Sequence, residues 1–281
     1  MLTQTDALSP FFTLERPESD PRPLLIEIPH AGLAIPEEVA AEMRAPRDGI
    51  LRDADIYVDK LFAGATRHGA SMLTALTSRY VVDLNRAPHD VDLQTVPDHP
   101  APRGVQPRGV VWRMTTDGRS LLRRPLTYQQ LQRRLERFHR PYHQTLEAEL
   151  ERLRKRWGFA ICLAAHSMPS VGRALRSERA TRRPDVVPGS RGRTSADPRL
   201  IELIGEHFRE HGLTVRHDDP YRGGYTTAHY GKPSEGMHVV QIEINRALYV
   251  HESTCEPKPE LEHLRGILDA LVRRVSTLDL S

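Results

Sequence analysis

Phe159-Ala160-Ile161-Cys162-Leu163-Ala164-Ala165-His166 is an unbroken apolar run closed by an imidazole, and Leu24-Leu25-Ile26-Glu27-Ile28-Pro29-His30 repeats the plan nearer the amino end. Apolar runs this short read as buried strands. Two further runs end in polar groups: Tyr80-Val81-Val82-Asp83-Leu84 leads into Asn85-Arg86, and His238-Val239-Val240-Gln241-Ile242 leads into Glu243. In an open α/β sheet the carboxyl ends of the strands converge on one crevice, where ligands bind. Laid side by side, these four runs gather two imidazoles, an arginine and a carboxylate at one sheet edge. That is the outline of a metal-dependent hydrolase.

The remaining sequence supplies helices and loops around such a sheet. Residues 1–22 are polar and proline-punctuated and read as an irregular lead-in to the first strand. Between Ile50 and Ala65, apolar residues at Leu51, Ala54, Val58, Leu61, Phe62 and Ala65 follow the 3.6-residue period of an amphipathic helix. Ser71–Leu76 is a further strand candidate. A long loop is expected from Ala87 to Pro107, and loops of that length in compact domains are more often functional than idle. Tyr128, Leu131, Leu135, Phe138, Tyr142, Leu146, Leu150, Leu153 and Trp157 mark a long helix capped by Thr127. Pro141 lies inside it and predicts a kink or two abutting helices. Ser167 to Pro198 is polar and has too few apolar residues for a core position. A helix over 199–211, a turn at Tyr221-Arg222-Gly223-Gly224-Tyr225 and a final helix over 260–275 complete the reading, as a single domain over 1–281.

The chain has 281 residues, 27% charged and 38% hydrophobic, with a net charge of +3. These values suit a water-soluble globular protein with a substantial core. No stretch is long and apolar enough to span a bilayer, and the first residues carry no secretory pattern, so a cytoplasmic location is expected. With only Cys162 and Cys255, the chain does not read as a disulfide scaffold. Almost all of the 40 basic residues are Arg. Their interleaving with acids, as in Leu150-Glu151-Arg152-Leu153-Arg154-Lys155-Arg156, reads as solvated helix surface rather than a nucleic-acid patch. The opposing reading is a polyanion-binding protein using the arginines between 173 and 193.

His30 and His166 are the leading metal candidates, each at the end of a strand. A catalytic zinc commonly takes three protein ligands, two histidines and a carboxylate among them, and leaves one position open. Asp53 and Asp55 are the carboxylates on offer, and helix capping is their competing role because both are read as first-turn residues. Arg86, with Asn85 adding a donor, suits bidentate recognition of a substrate carboxylate; an Arg86–Asp83 salt bridge is the alternative. Glu243, between two isoleucines, is placed to have its pKa raised by burial and to act as a general base. A pairing with Arg246 is its structural alternative. Ser167 lacks a Gly-x-Ser-x-Gly elbow and is set aside as a nucleophile.

Taken in order, Pro29-His30-Ala31-Gly32, Asp53-Ala54-Asp55, Ser78-Arg79-Tyr80-Val81-Val82-Asp83-Leu84-Asn85-Arg86, Pro141-Tyr142-His143, Ala165-His166-Ser167-Met168, Gly223-Gly224-Tyr225 and Gln241-Ile242-Glu243-Ile244 resemble the N-formylglutamate amidohydrolase family. The resemblance spans about Leu24 to Tyr249, and the family is related in fold to zinc carboxypeptidases and aspartoacylases. It implies an α/β fold with a mixed, mostly parallel central sheet flanked by helices. It further implies one zinc or other divalent ion per chain, and hydrolysis of N-formyl-L-glutamate, as a monomer or small homo-oligomer, with no nucleic-acid or membrane partner. The expected ligands are His30, Asp55 and His166, with Asp53, His143 and Asp83 as supporting or alternative residues. Glu243 is the expected base. Arg86, Asn85, Arg193, Tyr225 and Gly224 are expected around the substrate. One departure is plain: the carboxypeptidase pattern His-x-x-Glu would need Glu at position 33, where this chain has Leu33, so the third ligand comes from elsewhere.

Overall fold

The computed structural model describes residues 4–18, 20–44, 47–172 and 181–281. Seven strands form one sheet: β1 (Gln4–Ser9), β2 (Phe12–Arg16), β3 (Leu24–Ile28), β4 (Ser71–Ala75), β5 (Ala160–Met168), β6 (Val186–Gly189) and β7 (Met237–Asn245). Their spatial order is β1-β2-β4-β3-β5-β7-β6. The four central strands β4, β3, β5 and β7 run parallel, whereas β1, β2 and β6 are antiparallel to their neighbours. The helices are α1 (Glu37–Ala40), α2 (Arg47–Asp53), α3 (Val58–Leu61), α4 (Tyr128–Arg134), α5 (Arg140–Trp157), α6 (Pro198–Glu210), α7 (Tyr225–Tyr230) and α8 (Glu260–Ser276).

The apolar runs are continuous because both faces of the sheet are covered. Leu24, Ile26, Ile161, Leu163, Val240 and Ile242 share a core with Leu200 and Ile204 of α6 and Leu268 and Leu271 of α8. The alternate residues Leu25, Cys162 and Val239 meet Leu131 of α4 and Tyr142, Leu146 and Leu150 of α5 on the opposite side. Each fully buried aliphatic side chain contributes roughly 1.5–3 kcal/mol by leaving water. Thr127 caps α4 with a complete capping box, its hydroxyl accepting from the Gln130 backbone while the Gln130 side chain accepts from the Thr127 N–H. The expected break near Pro141 takes the form of a π-helical turn over Leu135–His139, after which α5 begins.

Four expectations are corrected. Residues 1–22 are not an irregular lead-in, since β1 and β2 pair and extend the sheet beyond β4. The amphipathic helix over 50–65 is two short helices, α2 and α3, interrupted where Tyr57 takes a left-handed conformation at φ 63°. Tyr80–Leu84 is not a strand. Its side chains are buried and its backbone makes turns, with the Val81 N–H on the Ser78 carbonyl and the Asp83 N–H on Val110. Finally, the polar stretch after His166 contains β6, whose Val186 and Val187 are fully buried against β7. Pro188 is tolerated there because β6 is an edge strand.

Candidate active site

Strand order places Ile28, Ser167 and Ile244 near the carboxyl ends of three adjacent parallel strands, and the chemistry sits just there. His30 follows β3 and turns sharply away. A Cβ on Gly32 would come within 2.3 Å of the Leu76 backbone, so only glycine lets the two segments approach this closely. His30 Nε2 lies 2.8 Å from Asp83 Oδ1. Asp83 is saturated: the Asn85 N–H also donates to Oδ1, and Arg79 and the Trp112 indole donate to Oδ2. Although burial opposes ionisation, Arg79 and His30 hold the Asp83 carboxyl well below its ordinary range. An ionised Asp83 fixes the proton on His30 Nε2 and leaves the Nδ1 lone pair facing inward, an arrangement typical of histidines that bind metals.

Nδ1 of His166, on β5, lies 3.2 Å from Nδ1 of His30. Asp55 completes the group, with Oδ2 at 3.0 Å from the His166 Nδ1 and 3.4 Å from that of His30. Asp55 sits between α2 and α3, tied to the His30 carbonyl by its backbone N–H, and its Oδ1 accepts from Ser167 and Arg246. Despite burial, His166 and His30 keep its pKa well depressed. Burial and Arg79 disfavour charge on His30, yet Asp83 and Asp55 outweigh them and raise its pKa. The pocket therefore favours positive charge at the point where two ring nitrogens and a carboxylate oxygen converge. The ligand atoms of His30, Asp55 and His166 lie within 4.8 Å of one another, all buried, and could hold a metal ion. Two imidazole nitrogens and one oxygen form a donor set that suits zinc.

Glu243 stands on β7 level with His166. Burial pushes its carboxyl up to about 7, opposed by His166 and reinforced by Asp55. Its Oε1 accepts from the Gln241 side chain at 2.8 Å. The structural alternative of a Glu243–Arg246 pair is not seen, since Arg246 is given to Asp55 and Ser167. His30, Asp55, His166, Glu243, Asp83, Asp53, Asn85, Arg86 and Gly224 all line one cavity of about 870 Å³.

Some expected residues are committed to other partners, and His143, Tyr225 and Arg193 lie outside the cavity lining. Asp53 ends α2 rather than beginning a helix, and its carboxylate is occupied by Tyr80 and Thr116, which leaves it a structural role. His143 lies behind the cavity, between Leu84 and Tyr230. The Tyr225 ring packs on His229 and His143 and does not line the cavity. Arg193 is exposed and paired with Glu202 at 2.6 Å, outside the cavity. Arg86 pairs with Asp90 at 3.4 Å, and Asp83 is taken by Arg79 instead. The basic positions at 173–180 lie outside the described residues.

Sequence reasoning missed Arg108, Arg183 and Arg222, which line the cavity and have no carboxylate partner among the described residues. Arg183 lies 5.0 Å over the Tyr221 ring. In so arginine-rich a chain no local pattern singles them out.

Fold and cavity together define a hydrolase site on a mostly parallel α/β sheet, with a triad suited to a metal and a buried glutamate at the carboxyl ends of parallel strands. The N-formylglutamate amidohydrolase family model matches residues 22–250. N-formylglutamate deformylases of Pseudomonas putida and Pseudomonas aeruginosa are each 34% identical, over 240 and 237 residues, covering 82% of this chain and 83% of each relative. The crystal structure of N-formylglutamate amidohydrolase from Ralstonia eutropha JMP134 superposes with a TM-score of 0.85 at 32% identity, covering 95% of this chain and 97% of that one. A protein of Agrobacterium tumefaciens, 19% identical with a TM-score of 0.66 over 96% of both chains, shares the fold. The chain belongs to the N-formylglutamate amidohydrolase family.

Proposed function

We propose that this protein hydrolyses the formamide bond of N-formyl-L-glutamate, giving formate and L-glutamate, with one zinc ion held by His30, Asp55 and His166. The observation that carries the reading is the meeting, in one cavity, of that triad, a glutamate whose pKa is raised to about 7, and three arginines, Arg108, Arg183 and Arg222, with no carboxylate partner among the described residues. The chemistry a divalent ion supplies when bound is Lewis-acid polarisation and a lowered pKa for a coordinated water. Glu243 then takes the proton of the attacking water and passes it to the departing amine. A buried carboxylate near neutrality suits both transfers at physiological pH. Asp83 keeps His30 in the required tautomer.

The substrate carries two carboxylates, and the cavity answers with planar guanidinium groups suited to bidentate pairing. Arg86, which lines the cavity and meets Asp90 only at 3.4 Å, is the proposed anchor for one. Arg183, rather than Arg193, is the proposed anchor for the other, because it lines the cavity while Arg193 is committed to Glu202.

The test is metal content by elemental analysis of protein purified without added metal, alongside formate release from N-formyl-L-glutamate before and after chelation. One equivalent of zinc and chelator-sensitive release are expected. Stoichiometric zinc with release only from N-acetyl amino acids or peptides would assign another substrate, and failure to take up any divalent ion would remove the site.

A further inference from the structure

Two histidines on the far side of the Leu84–Arg86 segment from the metal triad make hydrogen bonds that the reaction itself does not call for. His139 Nε2 lies 3.0 Å from the Arg86 carbonyl, and His143 Nε2 lies 2.9 Å from the Leu84 carbonyl. A carbonyl only accepts, so both Nε2 atoms carry the proton. Burial lowers both pKa values, that of His143 strongly, and each neutral ring spends its one N–H on the carbonyl. Tyr230 then donates to His143 Nδ1 at 3.0 Å.

The two carbonyls flank Asn85, whose own polar groups are all engaged. Its N–H donates to Asp83, its carbonyl accepts from the Tyr225 N–H, and its Oδ1 accepts from the Thr226 N–H at 3.0 Å, which settles which end of the amide is nitrogen. Nδ2 therefore faces Gln241 Oε1 at 3.0 Å and His166 Nε2 at 3.2 Å. Gln241 Oε1 also accepts from the Gly224 N–H, which turns its Nε2 towards Glu243. From Asn85 to the Glu243 carboxylate donation thus runs in one sense at both steps, Asn85 Nδ2 to Gln241 Oε1 and Gln241 Nε2 to Glu243 Oε1. A second observation points the same way: the π-helical turn, with the Arg140 N–H on the Leu135 carbonyl, ends on His139. Such wide turns are costly and concentrate at functional positions.

We propose that His139 and His143 are positioning residues for the reaction, clamping the Asn85 backbone and, through Asn85 and Gln241, aiming the Glu243 carboxylate into the cavity. The proposal rests on the reading of Glu243 as the base. It also changes the part assigned to Asn85, whose amide is spent inside the protein and does not serve as a free donor to a substrate carboxylate.

The test uses His139→Phe and His143→Phe, His139→Gln as a variant that keeps an N–H donor, and Gln241→Ala alone and with each Phe variant. Formate release is expected to show kcat lowered about 10- to 100-fold, in the range found for residues that orient catalytic groups from behind, with KM nearly unchanged. His139→Gln should recover much of the loss, and each Phe effect should largely vanish in the Gln241→Ala background, because residues acting along one line are not additive. A rise in KM at constant kcat, a lowered melting temperature at constant kcat, or fully multiplicative effects would each overturn the proposal. If His143→Phe does not fold, His139→Phe carries the comparison alone. Crystal structures of the variants give a readout independent of activity: Asn85 and the Gln241 amide should shift and Glu243 should turn, and a variant in which all three keep their places refutes the clamp. Absence of formate release from the wild-type protein would instead remove the proposed substrate and leave the clamp to be decided by those structures.

Discussion

At the scale of single residues, the site is a set of buried charges: charged neighbours outweigh burial at Asp55, Asp83 and His30, and burial prevails at Glu243. With Glu243 pushed up to about 7, its basic form accumulates as pH rises through that value, so kcat/KM should climb with pH and level off above it. The positive charge of a bound ion would move the midpoint lower. Measuring the profile with and without excess zinc checks both statements. Glu243→Gln should cut turnover by roughly two to four orders of magnitude while zinc content, read by elemental analysis, stays near that of the unaltered protein. Loss of the zinc in that variant would make Glu243 a ligand. Arg183→Ala should raise KM for N-formyl-L-glutamate far more than it lowers kcat, whereas Arg193→Ala, at a surface ion pair, should leave both constants alone.

Among the elements, what was legible in the sequence is what depends on local periodicity. β3, β5, β7 and the α4–α5 rod announce themselves because each is an apolar pattern matched to one repeat, the strands buried throughout and the rod along one face. Tyr80–Leu84 carries the same apolar signature for a different reason: the side chains are buried while the backbone bonds to Ser78 and Val110 instead of a strand. Composition reports burial and does not report pairing. β6 went unseen because two valines before Pro188-Gly189 make too short a signal, and its burial is conferred by β7. His30, His166 and Glu243 were legible as residues closing strands or following them, and Asp55 as a carboxylate read into the first turn of a helix, but the commitments of Arg193 to Glu202 and of Asp53 to Thr116 depend on contacts distant in sequence. Gly224 offers a test at this scale. A Cβ there would stand 2.4 Å from the Asn85 amide, so Gly224→Ala should displace that amide and lower kcat, a change visible in steady-state kinetics before any loss of secondary structure by circular dichroism.

For the molecule as a whole, buried carboxylates tie stability to pH. Asp83 and Asp55 have depressed pKa values in the folded state, so their contribution is complete above the unfolded-state value of about 4 and is lost as pH falls through the folded-state values. Denaturation midpoints measured from pH 7 down to pH 3 should therefore drop steeply at the acid end. Removing a bound ion should act in the same direction at neutral pH, because a ligand present at a hundred times its dissociation constant stabilises the fold by about 2.7 kcal/mol. Thermal melts before and after chelation measure that difference.

The crossing of β5 between β3 and β7 has a consequence for how the protein reaches this state. His30 and Arg246 stand at opposite ends of the folded core's sequence, yet both touch Asp55. No early fragment of the chain possesses the site, and pairings between such remote segments form slowly because the intervening chain must first be closed into a loop. In a refolding experiment, tight zinc capture should accordingly trail the recovery of helical signal, making the ion a reporter of the last long-range pairing rather than a seed for the first.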